Sequence, residues 1–510
     1  MTSLRCWLAV LLLPIHTLAA AAPPFAWLDA SGRSTANVHV ALRLLGDASV
    51  DGLMADDYHA AELAERAEML DGANASQSSS RAEFDGDLER ALLRYLHDLH
   101  FGRIDPRSVG FRVARRHDAE IDLAALLHSA AAQGRLVQLA AELRPRLSQY
   151  GKLRDALARY RALEANGSFG RLAAAAPVEP DDPFGDALAL HRRLVALGDL
   201  DADAPSSADR YDSTLVQGVR RFQQRHGLAV DGVIGRGTLA ALNVPLAQRI
   251  RQLELALERL RWLPDLDAGR FIGINIPMFR LWAWDSALPA DAPVSMGVVV
   301  GRALNTRTPV LSDEMRYLIV RPYWDVPRSI LVNEVLPALA RDPGYLQRND
   351  MEVVRGSDGP VAFAGAQTLD QLRRGALRVR QRPGPKNSLG LLKFIFPNDE
   401  NVYLHGTPAT QLFGQVRRDF SHGCVRVEDP VTLAQWVLDD QPRWTRDHIE
   451  QAMAGATSLR INLSRPIPVI LFYMTAMVTP ADQTLRFAPD IYGHDAALVR
   501  ALATARRLAS

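Results

Sequence analysis

Cysteine is almost absent from this chain. Its 510 residues include only Cys6 and Cys424, so a framework of disulfide bonds is excluded. Charge of one sign is lacking too, because 59 Lys and Arg residues stand against 58 Asp and Glu residues, for a formal net charge of +1. No overall basic field attracts nucleic acid or anionic lipid. We therefore expect no nucleic-acid partner, and any other partner must be recognised locally.

Long apolar runs and metal-binding spacings are also missing from most of the chain. The run at 467–478 is shorter than the roughly 18 apolar residues of a membrane span, and Pro468 interrupts it. Neither a His-Glu-x-x-His nor a Cys-x-x-Cys pattern occurs. We expect no metal, no cofactor and no membrane span in the mature protein.

The first residues have the order of a secretory signal peptide. A basic residue precedes a short apolar run, and small residues follow that run. This order predicts a signal peptide over residues 1–21, and a retained anchor is the alternative. Cleavage would remove Cys6 and leave Cys424 as the single cysteine of an exported protein. We expect that protein to be periplasmic.

Periodicity divides the rest of the chain into a helical half and a strand-rich half. Apolar residues first recur at three- and four-residue steps, which is typical of amphipathic helices. After Gly269, short β-branched and aromatic runs alternate with turn residues, which is typical of strands. The predicted fold class is multidomain α+β. Its predicted parts are a helical scaffold domain (38–172), a Pro-rich linker (173–183), a small three-helix module (184–245), a connecting helix (246–268), a β-rich domain (269–480) and a C-terminal tail (481–510).

A long segment interrupts the strand-rich domain. Residues 329–381 are charged and partly helical, whereas typical connections have about four to six residues. We therefore expect an inserted capping subdomain, because insertions of this length often cover a site.

The three-helix module has a specific order of helix and turn residues. An amphipathic helix with Val219 and Phe222 inward ends at Gly227, and an Asp231-Gly232 turn follows it. This order resembles a peptidoglycan-binding domain, for which peptidoglycan is the implied ligand. A helical spacer without a ligand is the alternative, since the same apolar positions would serve a core equally well.

The strongest chemical signal is a cysteine with two nearby histidines. A thiol attacks acyl carbonyls as the thiolate, and an imidazole can take its proton. His405 closes a strand-like run and precedes Cys424 by enough chain for a loop to return beside it. His422 is a rival base, because two residues along an extended segment share a face. A zinc site formed by these three side chains is a further alternative.

The glycine next to the cysteine also favours nucleophilic chemistry. Gly423 permits a close backbone approach, so the amides of Gly423 and Cys424 could both face a developing oxyanion. The residues therefore predict acyl-transfer chemistry at Cys424.

Two motifs also resemble a known family. His405-Gly-Thr and Ser421-His-Gly-Cys-Val-Arg426 are similar to the signature of the L,D-transpeptidase catalytic domain of the YkuD type. Further motifs, such as Tyr323-Trp324-Asp-Val-Pro, resemble the large YcbB-like subclass. That subclass has a helical scaffold, a peptidoglycan-binding domain and a β-rich catalytic domain with a capping insertion.

The resemblance implies a role for each matching residue. Cys424 would be the nucleophile and His405 the base, with the Gly406 carbonyl holding its tautomer. The remaining implied site residues are Ser421, His422 and Gly423 at the oxyanion site, Arg426 closing the motif, and Tyr323 and Trp324 at the cleft wall. For Arg426 a structural ion pair, and for the two aromatic residues a core position, are open alternatives.

The resemblance also implies a reaction. Cys424 would attack the third residue of a peptidoglycan tetrapeptide stem, release D-alanine and form a thioester. An amine from another stem would then give a 3→3 cross-link, without metal or cofactor. Carbapenems would be inhibitors, and peptidoglycan synthases could be partners. The open alternatives are an L,D-carboxypeptidase, an enzyme that anchors proteins to peptidoglycan, and a non-catalytic wall-binding scaffold.

Overall fold

The computed structural model describes residues 26–72, 78–113, 121–167, 169–264, 269–285, 293–356 and 359–509. The predicted signal peptide, residues 1–21, lies outside these ranges. Helices fill the first half of the described chain and strands are concentrated in the second half. The predicted multidomain α+β fold class is confirmed.

The N-terminal helices pack around an apolar core of their own. Trp27, Tyr58 and Phe84 are each fully buried in it. Asp122 caps one helix by accepting a hydrogen bond from the amide of Ala125 at 2.9 Å, which satisfies a first-turn donor that the helix leaves free. These helices are α1 (Ala36–Gly46), α2 (Ala60–Gly72), α3 (Ser78–Phe101), α4 (Leu123–Ala132), α5 (Leu136–Leu143) and α6 (Ser148–Ala165), with short 3-10 turns at Asp47–Asp51, Ala55–Tyr58 and Pro106–Val109.

The three-helix module has a separate small core. It consists of α7 (Ala187–Leu197), α8 (Ser213–Arg225) and α9 (Arg236–Leu242). Val219 and Phe222 are buried, as the sequence pattern predicts. Gly232 has φ of 80°, the left-handed conformation that its turn requires and that glycine adopts without strain.

Helix α10 (Leu246–Arg261) joins the module to the catalytic domain and packs against α6. Its last residue, Arg261, is only 1% exposed. The Arg261 guanidinium donates to Glu258 and to the Tyr150 hydroxyl, both at 2.9 Å, and to the Asp51 carbonyl. A buried charge is thus paired and hydrogen-bonded, the condition under which a protein core tolerates it.

Most strands of the described chain belong to one large sheet that closes on itself. Its order is β11-β3-β12-β10-β9-β4-β13-β1-β2, and β2 also pairs with β3. In chain order the strands are β1 (Phe271–Asn275), β2 (Arg280–Trp284), β3 (Val294–Gly301), β4 (Leu311–Val320), β5 (Trp324–Asp325), β6 (Met351–Val354), β7 (Pro360–Val361), β8 (Arg378–Gln381), β9 (Leu392–Ile395), β10 (Leu404–His405), β11 (Asp419–Ser421), β12 (Val425–Val427), β13 (Leu459–Phe472), β14 (Ala476–Val478) and β15 (Leu485–Phe487). This closed sheet contains the strands that carry the predicted motifs.

The insertion forms a subdomain with its own apolar core. Its four strands have the order β5-β8-β6-β7. It begins at Trp324 rather than at residue 329, because Trp324 and Asp325 pair with β8. Its helices are α11 (Arg328–Ile330), α12 (Leu336–Arg341), α13 (Tyr345–Arg348) and α14 (Ala366–Arg374), with a π-helical turn at Leu331–Val335. After the insertion, the strand-rich domain continues with a 3-10 turn at Thr410–Gly414 and the helices α15 (Pro430–Val437) and α16 (Arg446–Ala454).

The segment expected to be a C-terminal tail is instead an integral part of the fold. It contains β15, which pairs with β14, and helix α17 (His494–Ala509). Asp495 accepts hydrogen bonds from Arg259 and Thr475, both at 2.5 Å, and Leu498 is fully buried. Among the helices that the structure describes, none has the length and apolar composition that a membrane crossing requires.

Candidate active site

The two central residues lie on neighbouring parallel strands. His405 is the last residue of β10, and Cys424 directly precedes β12. Leu404 is paired with Val425, and the Val425 amide donates to the Tyr403 carbonyl at 3.1 Å. Because side chains alternate along a strand, Tyr403, His405 and Cys424 face the same side. The chain between β10 and β12 returns to bring the two motifs together, as the sequence predicts.

His405 is held in one orientation. It is 4% exposed, and its Nδ1 lies 2.6 Å from the Gly406 carbonyl oxygen. Since a carbonyl only accepts, Nδ1 carries the proton and Nε2 is left as the acceptor. Burial, reinforced by the positive charges of Arg426 and Lys393, lowers the pKa of His405 to about 3. The imidazole is therefore neutral at physiological pH.

Cys424 is a free thiol with limited exposure. Its Sγ lies 3.7 Å from the carbonyl oxygen of Asn401. Burial raises the pKa of the Cys424 thiol, and the backbone and hydroxyl of Tyr403, then Lys393 and Arg426, oppose that rise. Both partners therefore rest in their neutral forms, thiol and imidazole, rather than as an ion pair.

The strand end before Cys424 is fixed by several hydrogen bonds. Ser421 Oγ donates to the Cys424 carbonyl at 2.5 Å and accepts from the Gly423 amide at 3.2 Å. Thr308 Oγ1 donates to the Gly423 carbonyl at 2.7 Å and accepts from the Gly301 amide at 2.8 Å. The Gly423 amide thus points towards Ser421 in this structure, and its role at an oxyanion site stays a prediction.

The rival base, His422, faces the insertion. Its Nε2 lies 2.6 Å from Glu334 Oε1, within the π-helical turn. Gly423 has φ of 116°, so the chain leaves the regular extended conformation between His422 and Cys424. His422 is thus in contact with the insertion, and its role as a rival base stays a prediction. Among the described residues, no three His, Cys, Asp or Glu side chains converge to hold a metal ion.

Arg426 lies beside His405 in the strand register. Burial, with the neighbouring charge of Arg302, lowers the pKa of the Arg426 guanidinium. Within the described part of the chain, Arg426 forms no ion pair with a carboxylate, and its buried Nε has no hydrogen-bond partner. The structural ion pair considered from the sequence is not found there.

The two aromatic residues of the predicted cleft wall belong to the border of the insertion. Tyr323 is 41% exposed, and the Arg380 guanidinium lies 4.4 Å from its ring centre. Trp324 is partly buried against the core of the insertion. Burial lowers the pKa of Lys393 and raises that of Tyr403, and the charge of the next residue, Asp325, adds a smaller upward contribution to both, which indicates that this border lies near the site.

Two residues that lie near Cys424 and His405 were not predicted from the sequence. Lys393 is opposite His405 in the register, and its Nζ lies 3.9 Å from the ring centre of Tyr403. The alternation of Tyr403 and His405 along one short strand could have identified Tyr403. Lys393 could not be found in this way, because its place depends on the pairing of β9 with β10.

Comparison with known proteins gives matches to three regions of the chain. Family models match residues 19–157 ("Scaffold domain"), 185–242 ("Putative peptidoglycan binding domain") and 269–449 ("L,D-transpeptidase catalytic domain", YkuD). A Haemophilus influenzae protein named "Putative L,D-transpeptidase" is 30% identical over 245 residues, which is 48% of each of the two proteins. The chain thus spans about half the length of this curated relative. The chain contains a YkuD-type L,D-transpeptidase catalytic domain together with a peptidoglycan-binding domain.

Proposed function

We propose that this protein forms 3→3 cross-links in peptidoglycan through a thioester on Cys424. The observation that carries the proposal is the placement of Cys424 and His405 on one face of adjacent strands, within the matched catalytic domain. The hydrogen bond from His405 to the Gly406 carbonyl leaves Nε2 available as a base. A thiol, a fixed neutral imidazole and a matched acyl-transfer domain together favour this chemistry.

In the proposed acylation, Cys424 Sγ attacks the carbonyl carbon of the third stem residue, and the thiol proton moves to His405 Nε2. The amide bond to the terminal D-alanine then breaks, and the leaving amine takes that proton. Because both groups are neutral at rest, proton transfer must accompany the attack of sulfur. The product is a thioester and free D-alanine.

Negative charge develops on the carbonyl oxygen during this attack. The Cys424 amide is one donor that can reach it, and the Gly423 amide could join after leaving Ser421 Oγ. The positive charges of Lys393 and Arg426 already act on the thiol and would favour an anionic intermediate. No metal is needed for this step.

In the second half-reaction, the side-chain amine of another stem attacks the thioester, and His405 accepts its proton. The amide bond of the cross-link forms and the Cys424 thiol is released. Water would compete with the amine. We infer that the insertion limits this competition by covering the site, because Glu334 within it contacts His422 of the motif.

The proposed substrate places the protein outside the cytoplasm. The peptidoglycan-binding domain supports the tetrapeptide stem as substrate, and the expected signal peptide at residues 1–21 would provide export to the periplasm. Acylation of Cys424 by carbapenems and contact with peptidoglycan synthases are further parts of this proposal.

Product analysis tests the proposal against its alternatives. Purified disaccharide-tetrapeptide is incubated with the mature protein or with the Cys424→Ala variant, and the products are separated and identified by mass. We expect dimers that lack one D-alanine, formed only by the wild type. Tripeptide monomers without dimers would identify a carboxypeptidase, and unchanged substrate with both proteins would contradict the proposal.

A further inference from the structure

A cavity of about 540 Å³ lies between the three-helix module and the catalytic domain. Neither Cys424 nor His405 lines it. The end of α8 and the turn after it form one wall, while the β1–β2 turn, the segment before β11 and the β14–β15 hairpin form the others. The volume falls within the roughly 300–1,000 Å³ of ligand sites.

Guanidinium groups dominate the polar lining of this cavity. Its arginines are Arg225, Arg280, Arg417, Arg418 and Arg486, and its acidic residue is Asp482. Such a lining is typical of a site for planar anions, because guanidinium matches a carboxylate or a phosphate with paired hydrogen bonds.

Three of these arginines already have a carboxylate partner, namely Arg225 with Asp199, Arg417 with Asp419 and Arg486 with Asp482. Arg280 and Arg418 have none in the part of the chain that the structure describes. Burial lowers the pKa of both, and a neighbouring guanidinium adds to the effect in each case. The carboxylate of Glu428 opposes the lowering of both arginine pKa values. It forms an ion pair with neither arginine, and its Oε2 accepts a hydrogen bond from the Gly297 amide at 2.7 Å.

The two unpaired arginines differ in what their side chains do. Arg418 donates to the carbonyl oxygens of Phe413 and Phe279, both at 3.0 Å, and so supports the wall of the cavity. Arg280 is accessible to solvent, although the surrounding protein atoms are close enough to lower its pKa, and its Nε donates to Ser295 Oγ at 2.9 Å. The terminal nitrogens of Arg280 are therefore the donors best placed for a ligand.

The remaining wall is apolar, and one of its residues is strained. Val416 is 48% exposed and lines the cavity together with the buried residues Phe279 and Trp282. Phe279 has φ of 52°, a left-handed conformation that is uncommon for a bulky residue and clusters at ligand sites. A small inorganic anion would leave this apolar wall unused, whereas an acidic peptide would cover it.

The cavity is also close to the catalytic motif along the chain. Arg418 precedes Cys424 by six residues, a stretch of chain that spans at most about 20 Å when extended. Four residues of an extended peptide reach about 14 Å. A glycan strand with one stem in the catalytic cleft could therefore present a second stem to the cavity.

We propose that this cavity binds the carboxylate-bearing stem peptide of a peptidoglycan strand, with Arg280 as the principal contact. The inference rests on the proposed function, because it takes peptidoglycan as the substrate. Arg280 would be a binding residue that does not touch the reacting atoms. The cavity would hold the strand while Cys424 acts on a neighbouring stem.

Binding to a protein with a blocked thiol tests this proposal. Cys424 is alkylated with iodoacetamide, and disaccharide-tetrapeptide is titrated by calorimetry into the wild type, Arg280→Gln, Arg280→Lys and a control, Arg373→Gln, at an exposed position on α14. We expect Arg280→Gln to raise Kd about tenfold or more, as loss of a charge-assisted contact implies. Arg280→Lys should raise Kd less, and Arg373→Gln should leave it unchanged.

A second probe identifies the group that is recognised. The same disaccharide-tetrapeptide with amidated carboxyl groups should bind the wild type as weakly as the native probe binds Arg280→Gln. Equal affinity of all variants for the native probe, or no binding to the alkylated wild type, would overturn the proposal. The products of the unalkylated wild type are measured in parallel, so that a failure of cross-linking with intact Arg280-dependent binding counts against the catalytic proposal alone.

Discussion

At the scale of single residues, the reactive pair is neutral before substrate arrives. Burial raises the pKa of the Cys424 thiol and lowers that of His405 to about 3. A preformed thiolate-imidazolium pair would need the opposite shifts. In the proposed mechanism, the proton therefore moves from sulfur to Nε2 only when substrate is bound.

Alkylation kinetics report this resting state. Because only the thiolate reacts, the rate of Cys424 alkylation by iodoacetamide should rise with pH and reach its midpoint above the roughly 8.5 of an ordinary cysteine. Tyr403→Phe removes a hydrogen bond that lowers the thiol pKa, so it should move the midpoint higher. A rate that is already maximal near pH 6 would show an ion pair instead.

The buried imidazole also predicts a loss of stability in acid. The pKa of His405 is lower in the folded protein than in the unfolded chain, so its contribution is complete above about pH 6.5 and is lost as the pH falls towards about 3. The His405→Gln variant lacks this group, so its unfolding free energy should fall less steeply as the pH decreases over this range. The difference in slope from the wild type should be up to about 1.4 kcal/mol per pH unit. Urea unfolding at several pH values measures this, and parallel curves for the two proteins would contradict it.

Residue types and spacing predicted Cys424 and His405 because both carry chemistry that few side chains offer. Lys393 and Tyr403 were missed, since their importance arises from strand register and not from a motif. His422 was considered as a rival base on the geometry of an extended segment, whereas Gly423 between it and Cys424 has a positive φ. Local backbone geometry of this kind cannot be obtained from residue periodicity.

At the scale of elements, a loop supports the strand end that precedes Cys424. Gly301 ends β3, and a Cβ added there would lie 2.0 Å from the Thr306 carbonyl oxygen. Thr308, in the same loop, donates to the Gly423 carbonyl at 2.7 Å. The geometry of the motif therefore depends on the close approach that glycine allows.

A pair of alanine variants tests this support. Gly301→Ala should lower the unfolding free energy by about 1–3 kcal/mol, as overpacking of a filled site does, and should reduce the rate of D-alanine release. Gly414→Ala is the control, because a Cβ there meets no atom within 4 Å. Thermal unfolding and product assays on both variants provide the comparison, and equal behaviour of the two would count against the account.

The insertion predicts a change in product ratio. Trp324 pairs with Gln381, so the ends of the inserted segment 324–381 lie opposite each other and a short Gly-Ser linker can replace it. Because water would then reach the thioester, the ratio of hydrolysis to cross-linking should rise. Glu334→Gln weakens the contact with His422 and should act in the same direction, by less than about fivefold, since a contact between partly exposed polar side chains contributes at most about 1 kcal/mol.

The control for the deletion is the affinity of the alkylated protein for disaccharide-tetrapeptide, which reports whether the rest of the molecule is intact. An unchanged product ratio in a folded deletion variant would remove the proposed role of the insertion as a lid. The sequence predicted that the insertion exists from its length and composition. It did not predict the contact between Glu334 and His422, which brings together residues far apart in the chain.

At the scale of the whole molecule, one apolar cluster extends from the scaffold helix α6 through α10 to the closed sheet and α17. Within it, Tyr492 donates to the Gly301 carbonyl at 2.5 Å and so connects the C-terminal segment to the loop beside the active site. From the sequence, residues 481–510 were expected to be a C-terminal tail. Its partners are residues of α10 and β3, which only the tertiary structure brings to it.

The buried charges of α10 predict a large effect on stability. Arg261→Ala removes a partner of Glu258, which is fully buried, and should lower the unfolding free energy by about 3–5 kcal/mol. Arg251→Ala, on the same helix, breaks a 3.0 Å pair between the exposed Arg251 and the partly buried Glu254, which keeps Arg161 as a partner, and should cost about 1 kcal/mol or less. Urea midpoints measure both, and similar losses would show that burial of the charges does not matter.

The proposed function requires a covalent intermediate at Cys424. The most direct measurement is the intact mass of the protein after brief mixing with disaccharide-tetrapeptide, followed by peptide mapping. We predict an adduct with the mass of the disaccharide-tripeptide acyl group on the peptide that contains Cys424, together with free D-alanine, and neither with Cys424→Ala. An adduct on another residue, or D-alanine release by Cys424→Ala, would contradict the account.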